Sequence, residues 1–181
     1  MFEVLIAILA YGLAGLTLKV GDDLLDETDK SRSAWLPLAI SGFLFGFLMS
    51  RSSWDLVLMV SILLGVLVSG KVNRPQFGIG FVTLALVLWV RGIPPIADLY
   101  QWVILLAMLF LASAVDEIGN NWADKSRLSL ASLFFQYRFT LKVIALLLSI
   151  IWQEFLFAAF GIWIFDFGYE IAGRLLRDYY V

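Results

Sequence analysis

Hydrophobic positions along this chain come in long, nearly uninterrupted runs separated by short polar breaks. The runs cover residues 2–18, 35–50, 54–70, 77–90, 99–115, roughly 139–152, and 155–165 with a continuation towards Ala172. The breaks carry turn chemistry: Arg51-Ser52-Ser53, Asn73-Arg74-Pro75 and Gly92-Ile93-Pro94-Pro95. The pattern predicts seven helices. Crossing a hydrocarbon layer of about 30 Å takes about 20 helical residues. Several runs fall short of that, so their helices are expected to extend into polar flanks or to tilt within a bundle. A cleaved leader would need a basic start and a small-residue cleavage site. Glu3 and the acidic stretch after Val20 fit neither, so the first helix is expected to be retained.

Composition agrees with the pattern. Of 181 residues, 61% are hydrophobic and 15% charged, with a mean hydropathy of +0.90. Soluble domains average about 45–50% apolar and about 25% charged residues. The expected fold class is therefore all-α, a polytopic transmembrane helix bundle. The chain has no His and no Cys. That excludes disulfides, thiol nucleophiles, His-based triads, haem held by His and zinc sites with nitrogen or sulfur ligands. Oxygen ligands remain, and these suit Mg²⁺, Mn²⁺ or Ca²⁺. A net charge of −2 gives no ground for a nucleic-acid partner.

With seven spans, alternate helix ends go to opposite sides. Lys19, Lys30, Arg32, Lys71, Arg74, Lys125, Arg127, Arg174 and Arg177 share one side; Arg51 and Arg91 lie on the other. Basic residues gather on the cytoplasmic side. The expected topology places the N-terminus outside and the C-terminus in the cytoplasm of a multi-pass cell-membrane protein. Most acids fall on the same cytoplasmic side. Glu3, Asp55, Asp98 and Glu154 are the exceptions.

The chain also repeats itself. Asp29-Lys30-Ser31-Arg32 recurs 95 residues later as Asp124-Lys125-Ser126-Arg127. An acidic pair closes the long apolar helix before each copy: Asp22-Asp23 and Asp116-Glu117. Ser52-Ser53-Trp54-Asp55 faces Ile150-Ile151-Trp152-Gln153 in the second half. The expected organisation is one transmembrane domain over residues 1–181, with a first repeat at about 1–75, a linking helix at about 77–91 and a second repeat at about 98–178. Four helices separate the copies, so both repeats have the same orientation, about an axis along the membrane normal. Both acidic motifs then reach one side and can converge on one site.

If the helices continue through the motifs, Asp22, Asp26 and Asp29 share one face, as do Asp116, Asn120 and Asp124. Crowded carboxylates attract divalent cations. Mg²⁺ typically takes one or two carboxylates and fills its shell with water and phosphate oxygen. Lys71, Asn73 and Arg74, with Arg138 and Lys142 spaced i, i+4, offer cations and donors for a diphosphate. A solvated acidic rim is the plainer reading of either motif alone, and headgroup snorkelling that of Arg138 and Lys142. Gly42, Gly46, Gly65 and Gly161 are expected at close helix contacts.

Asp22-Asp23-Leu24-Leu25-Asp26 matches the D-D-x-x-D pattern of enzymes that hold prenyl diphosphates through Mg²⁺. The arrangement resembles the UbiA superfamily of intramembrane prenyltransferases, whose nine helices carry two Asp-rich motifs four helices apart on the cytoplasmic side. Asp23 and Asp26 match the first family motif, N-D-x-x-D-x-x-x-D. Asp22 stands where the family has Asn, and Asp29 comes one residue early. In the second, D-x-x-x-D, Asn120 and Asp124 or Asp116 and Asn120 fill the slots, with one Asn. The helix order looks like that family without its first and last helices. The resemblance implies transfer of an isoprenoid chain from a Mg²⁺- or Mn²⁺-bound prenyl diphosphate to an aromatic or lipid acceptor. Asp22, Asp23, Asp26 and Asp124 would be the catalytic residues, with Asp22, Asp26, Asp29, Asp116, Asn120 and Asp124 around the metal.

Two other classes fit parts of the pattern. A helix order of three, one and three resembles SWEET-type carriers, with the acids as a cation mouth or coupling site. Carrier sites usually lie near the bilayer midplane, and no Asp or Glu falls at the centre of a predicted span. A non-catalytic scaffold fits the small size, which leaves room for an oligomer or a complex partner.

Overall fold

In a computed structural model, residues 2–26, 32–123, 125, 127 and 129–180 are described. Among them are eight α-helices and no strand: α1 (Phe2–Asp26), α2 (Trp35–Met49), α3 (Ser53–Val68), α4 (Phe77–Arg91), α5 (Leu99–Ala123), α6 (Leu130–Gln136), α7 (Phe139–Ile151) and α8 (Leu156–Tyr180). A short 3-10 turn, Gln153–Phe155, precedes α8.

The seven apolar runs all become helices, and three of them lengthen, α8 as far as Tyr180. α1 carries on through Asp22 and Asp23 to Asp26, and α5 through Asp116 and Asn120 to Ala123. At 1.5 Å per residue these 25-residue helices are about 37 Å long, enough to cross a membrane core. Among the described residues, three segments are long and apolar enough to span: Phe2–Leu25, Leu99–Ala123 and Gln153–Leu176. α6 and α7 make a fourth if they count together, bent by 73° at their joint. The apolar α2, α3 and α4 are shorter.

The helix ends follow local chemistry. Pro37 sits in the first turn of α2, where its missing N–H costs nothing. Asp98 Oδ1 accepts the Gln101 N–H at 3.0 Å and caps α5. α4 stops at Gly92, whose φ of 84° suits glycine, with Pro94-Pro95 following. The eighth helix, α6, is the element that the apolar runs do not predict. Ser129 and Ser132 cap its start reciprocally. Arg138 then takes a left-handed conformation, with φ of 48°, and α7 sets off in a new direction. Arg138 is therefore at a joint, and the expected i, i+4 helical relation with Lys142 does not form.

The helices sort into two compact units. Unit 1 contains α1, α2, α4 and α8 from Phe160; unit 2 contains α3, α5, α6 and α7. In unit 1, α1 buries Ala7, Ala10, Tyr11 and Ala14 and turns Phe2, Leu5, Leu9 and Leu13 outward. Small residues inside and large apolar ones outside suit a lipid surround, where association rests on close packing rather than on escape from water. A Cβ on Gly15 would land on the Phe165 carbonyl, and one on Gly168 on the Gly12 carbonyl, so α1 and α8 touch backbone to backbone. Gly161 leaves room for the Tyr11 ring, and Gly42 and Gly46 seat α2 against Gly80 and Val87 of α4. In unit 2, Gly65 of α3 fits against Ser113 of α5. All four glycines expected at helix contacts are at such contacts. Trp102 Nε1–H donates to the Ser53 carbonyl at 3.1 Å, joining α5 to the start of α3.

Candidate functional site

Each unit has a long apolar helix that ends in an acidic pair, and the two ends differ in what surrounds them.

In unit 2 the pair is Asp116-Glu117, about two turns before the end of α5. Asp116 is buried, 1% exposed. Its two oxygens accept the backbone N–H groups of Thr140 (3.0 Å) and Leu141 (2.7 Å). These are orphan donors in the first turn of α7. Arg138, the residue at the helix start, makes no side-chain cap. Asp116 thus performs from a neighbouring helix the task that Ser, Thr or Asp usually performs from the N-cap. The negative charge also lies at the positive end of the α7 dipole.

Glu117, on the adjacent position, is held by two cations. Lys71 Nζ lies 2.6 Å from Oε2 and Arg138 Nε 3.0 Å from Oε1. The carboxylate is 6% exposed, against 30% for Lys71 and 26% for Arg138. Lys71 also donates to Asn120 Oδ1 at 2.9 Å, one turn further along α5. α6 lies over this end of the helix: Gly119 leaves space for the Phe135 ring, and Trp122 meets Phe135 edge-on at 6.2 Å. Lys142 is 3% exposed in α7, with Nζ 4.5 Å from the centre of the Phe139 ring. A buried cation over a ring face is a favourable pairing, and it differs from the snorkelling expected of an interfacial lysine.

In unit 1 the pair is Asp22-Asp23. Asp23 is 6% exposed. Lys19, one turn earlier on the same helix, reaches it at 2.7 Å. Tyr169 O–H of α8 donates to Asp22 Oδ2 at 3.3 Å, and the Lys19 ammonium lies 5.2 Å from the Tyr169 ring centre. Gly173 of α8 makes room for the Lys19 stem.

The expected site residues divide accordingly. Asp116, Asn120, Lys71 and Arg138 come together in unit 2, and Asp22 and Asp23 lie side by side in unit 1. Asn73 and Arg74 are exposed, and among the described contacts they take no part in either cluster. Asp26 ends α1, with its side chain outside what is described; Asp29 and Asp124 lie outside the described residues. Three participants were not singled out from sequence. Lys19 was legible in principle, as a lysine four residues before Asp23. Glu117 needed its two cationic partners, and Tyr169 is 147 residues from Asp22.

For Mg²⁺ or Mn²⁺ the donor sets are unequal. At the α5 end both oxygens of Asp116 and both of Glu117 are engaged, by backbone N–H groups and by cations. At the α1 end Asp22 and Asp23 supply adjacent carboxylates whose partners are a phenol and a lysine. Among the described residues, no group of three or more acids is placed to hold a metal ion. No family model, curated protein or solved structure matches the chain.

Proposed function

We propose that this chain is a membrane-embedded, prenyltransferase-like protein that handles the Mg²⁺- or Mn²⁺-bound head of a prenyl diphosphate at its Asp-rich helix ends. The observation that carries the reading is the end of α1. There a helix long enough to span a membrane brings Asp22 and Asp23 to its terminus, beside Tyr169 and Lys19. Those two acids would hold the metal, with water and phosphate oxygens completing its shell. A bound divalent ion supplies charge neutralisation for a departing diphosphate. The apolar outer faces keep the isoprenoid tail in hydrocarbon, and the acceptor is an aromatic ring or a lipid alcohol.

The proposed topology has seven passes, with the N-terminus outside and the C-terminus cytoplasmic. α6 lies in the interface, and the short α2, α3 and α4 cross with their polar flanks, thinning the layer around them. Two same-orientation repeats are supported by the make-up of the units. Unit 1 pairs α1 and α2 with α8, and unit 2 pairs α5 and α7 with α3. The third helix of each proposed repeat thus belongs to the unit of the other. Aligning Trp54 with Trp152 sets Lys71 against Tyr169, and each of these meets the acidic pair of its own unit. The chain has no native cysteine, so single cysteines report sidedness directly. Ser33→Cys should label from the cytoplasm and Ser52→Cys from outside; the opposite result would invert the topology.

The functional test is binding and turnover. Purified protein should bind a prenyl diphosphate only with Mg²⁺ or Mn²⁺, and Asp22→Asn with Asp23→Asn should abolish this. Membranes should release diphosphate and form a new lipid product from one of a panel of acceptors. Metal-independent binding, or full binding by the double variant, would sink the reading. A second reading, a non-catalytic membrane scaffold, is favoured by one observation: Asp116 and Glu117 tie α5 to the segment after α3 and to the start of α7. It predicts no metal-dependent ligand and no turnover.

A further inference from the structure

In unit 2 two cations from different elements meet one buried carboxylate. Lys71 follows α3, Arg138 forms the α6–α7 joint, and each takes a different oxygen of Glu117. Their nitrogens are therefore separated by at most the width of a carboxylate and the two ion-pair contacts. A phosphate group presents its oxygens at similar spacing and offers more of them. Arg and Lys grip such oxygens as readily as carboxylates. Asn120 keeps Lys71 in place from its other side at 2.9 Å. Asp116, the neighbouring acid, is committed to the α7 start and does not compete for these cations. The left-handed backbone at Arg138 marks a position held against its local preference. That conformation points the guanidinium to Glu117 from the joint itself.

We propose that Lys71 and Arg138 form a metal-free phosphate subsite, and that Glu117 occupies it as a resident carboxylate until a diphosphate displaces it. Glu117 is then an autoinhibitory residue, opposite in sign to the metal ligand that an acidic motif suggests. The inference deepens the diphosphate reading above and rests on it for the choice of ligand, but its test uses neither metal nor isoprenoid.

The experiment is calorimetric titration of the detergent-solubilised full chain with inorganic pyrophosphate in EDTA. Glu117→Gln should bind pyrophosphate about tenfold more tightly than the parent, the worth of one charge-assisted hydrogen bond. Lys71→Met or Arg138→Met in that background should remove the gain. Equal or weaker binding by a folded Glu117→Gln would overturn the proposal, as would a gain that survives loss of both cations. Glu117→Asp guards against misfolding. It keeps the charge but cannot span both cations, so it should gain affinity to a smaller extent; no gain in this variant overturns the proposal if Glu117→Gln does not fold. Phosphatidic acid added to the micelles separates two sources of the same chemistry. Displacement of pyrophosphate assigns the subsite to a lipid phosphate, and its absence assigns it to a soluble diphosphate. Metal-free gain without Mg²⁺-dependent prenyl diphosphate binding would keep this inference and remove the enzyme reading; the reverse result would do the opposite.

Discussion

The acidic end of α1 and the acidic end of α5 look alike in sequence and are built differently. Among the described contacts the α1 pair has one partner on its own helix, Lys19 one turn before Asp23, and a long hydrogen bond from Tyr169 of α8 to Asp22. The α5 pair is served entirely from elsewhere. Backbone of α7, Lys71 beyond α3 and Arg138 at the joint all converge on it. Two adjacent acids after an apolar helix can thus be a locally neutralised terminus or the keystone of a three-helix contact. The difference lies in partners far away in the chain. A carboxylate pinned by tertiary partners is costly to redeploy, whereas one paired along its own helix is cheap to release. That contrast is why a metal is proposed at the α1 end and an anion at the α5 end.

Substitutions can break this contrast in order of expected effect. Asp116→Ala strands two donors in the first turn of α7 and should cost about 2–3 kcal/mol, read from unfolding of the solubilised protein. A double-mutant cycle between Glu117 and Arg138 should give a coupling of about 1–2 kcal/mol, discounted from a fully buried pair because Arg138 is partly exposed. Asp22→Ala should cost about 1 kcal/mol or less; a loss equal to that of Asp116→Ala would erase the distinction. Tyr169→Phe removes one long hydrogen bond and should cost about 0.5 kcal/mol. The Lys19–Asp23 cycle should be smallest, about 0.3–0.5 kcal/mol and weakened by salt, as for other i, i+4 pairs. A Lys19–Asp23 coupling larger than that of Glu117–Arg138 would reverse the ranking.

Much of the helix pattern was legible because it rests on local properties. Unbroken apolar runs gave seven of the eight helices, and Gly92, Pro94 and Asp98 mark ends by chemistry that acts within a few residues. α6 was not legible. Its seven residues are too few for a periodic signal, and the Ser129–Ser132 cap uses a residue pair common in loops. The joint at Arg138 depends on Asp116 supplying the cap that the local sequence lacks, and no inspection of residues 137–141 shows that. The acidic motifs were visible as composition, but their tasks were not. Asp116, expected to ligate a metal, is bound to backbone because of where α7 begins. Glu117 was visible only as half of an acidic pair, and its task appears once Lys71 and Arg138 stand beside it. Close helix contacts were half legible: Gly42, Gly46, Gly65 and Gly161 were expected, whereas Gly15 and Gly168 emerge only once α1 and α8 are side by side.

The contact between Gly15 of α1 and Gly168 of α8 has a consequence for biosynthesis. All of unit 2 is synthesised before Gly168 is, so unit 2 has every helix it needs while unit 1 still lacks one. During that interval the small-residue face of α1, with Gly12 and Gly15, has only lipid or an insertion factor against it. Unit 1 closes last, although its first helix is made first. A chain truncated before residue 160 and released into membranes should therefore yield a protease-resistant unit 2 and an open unit 1.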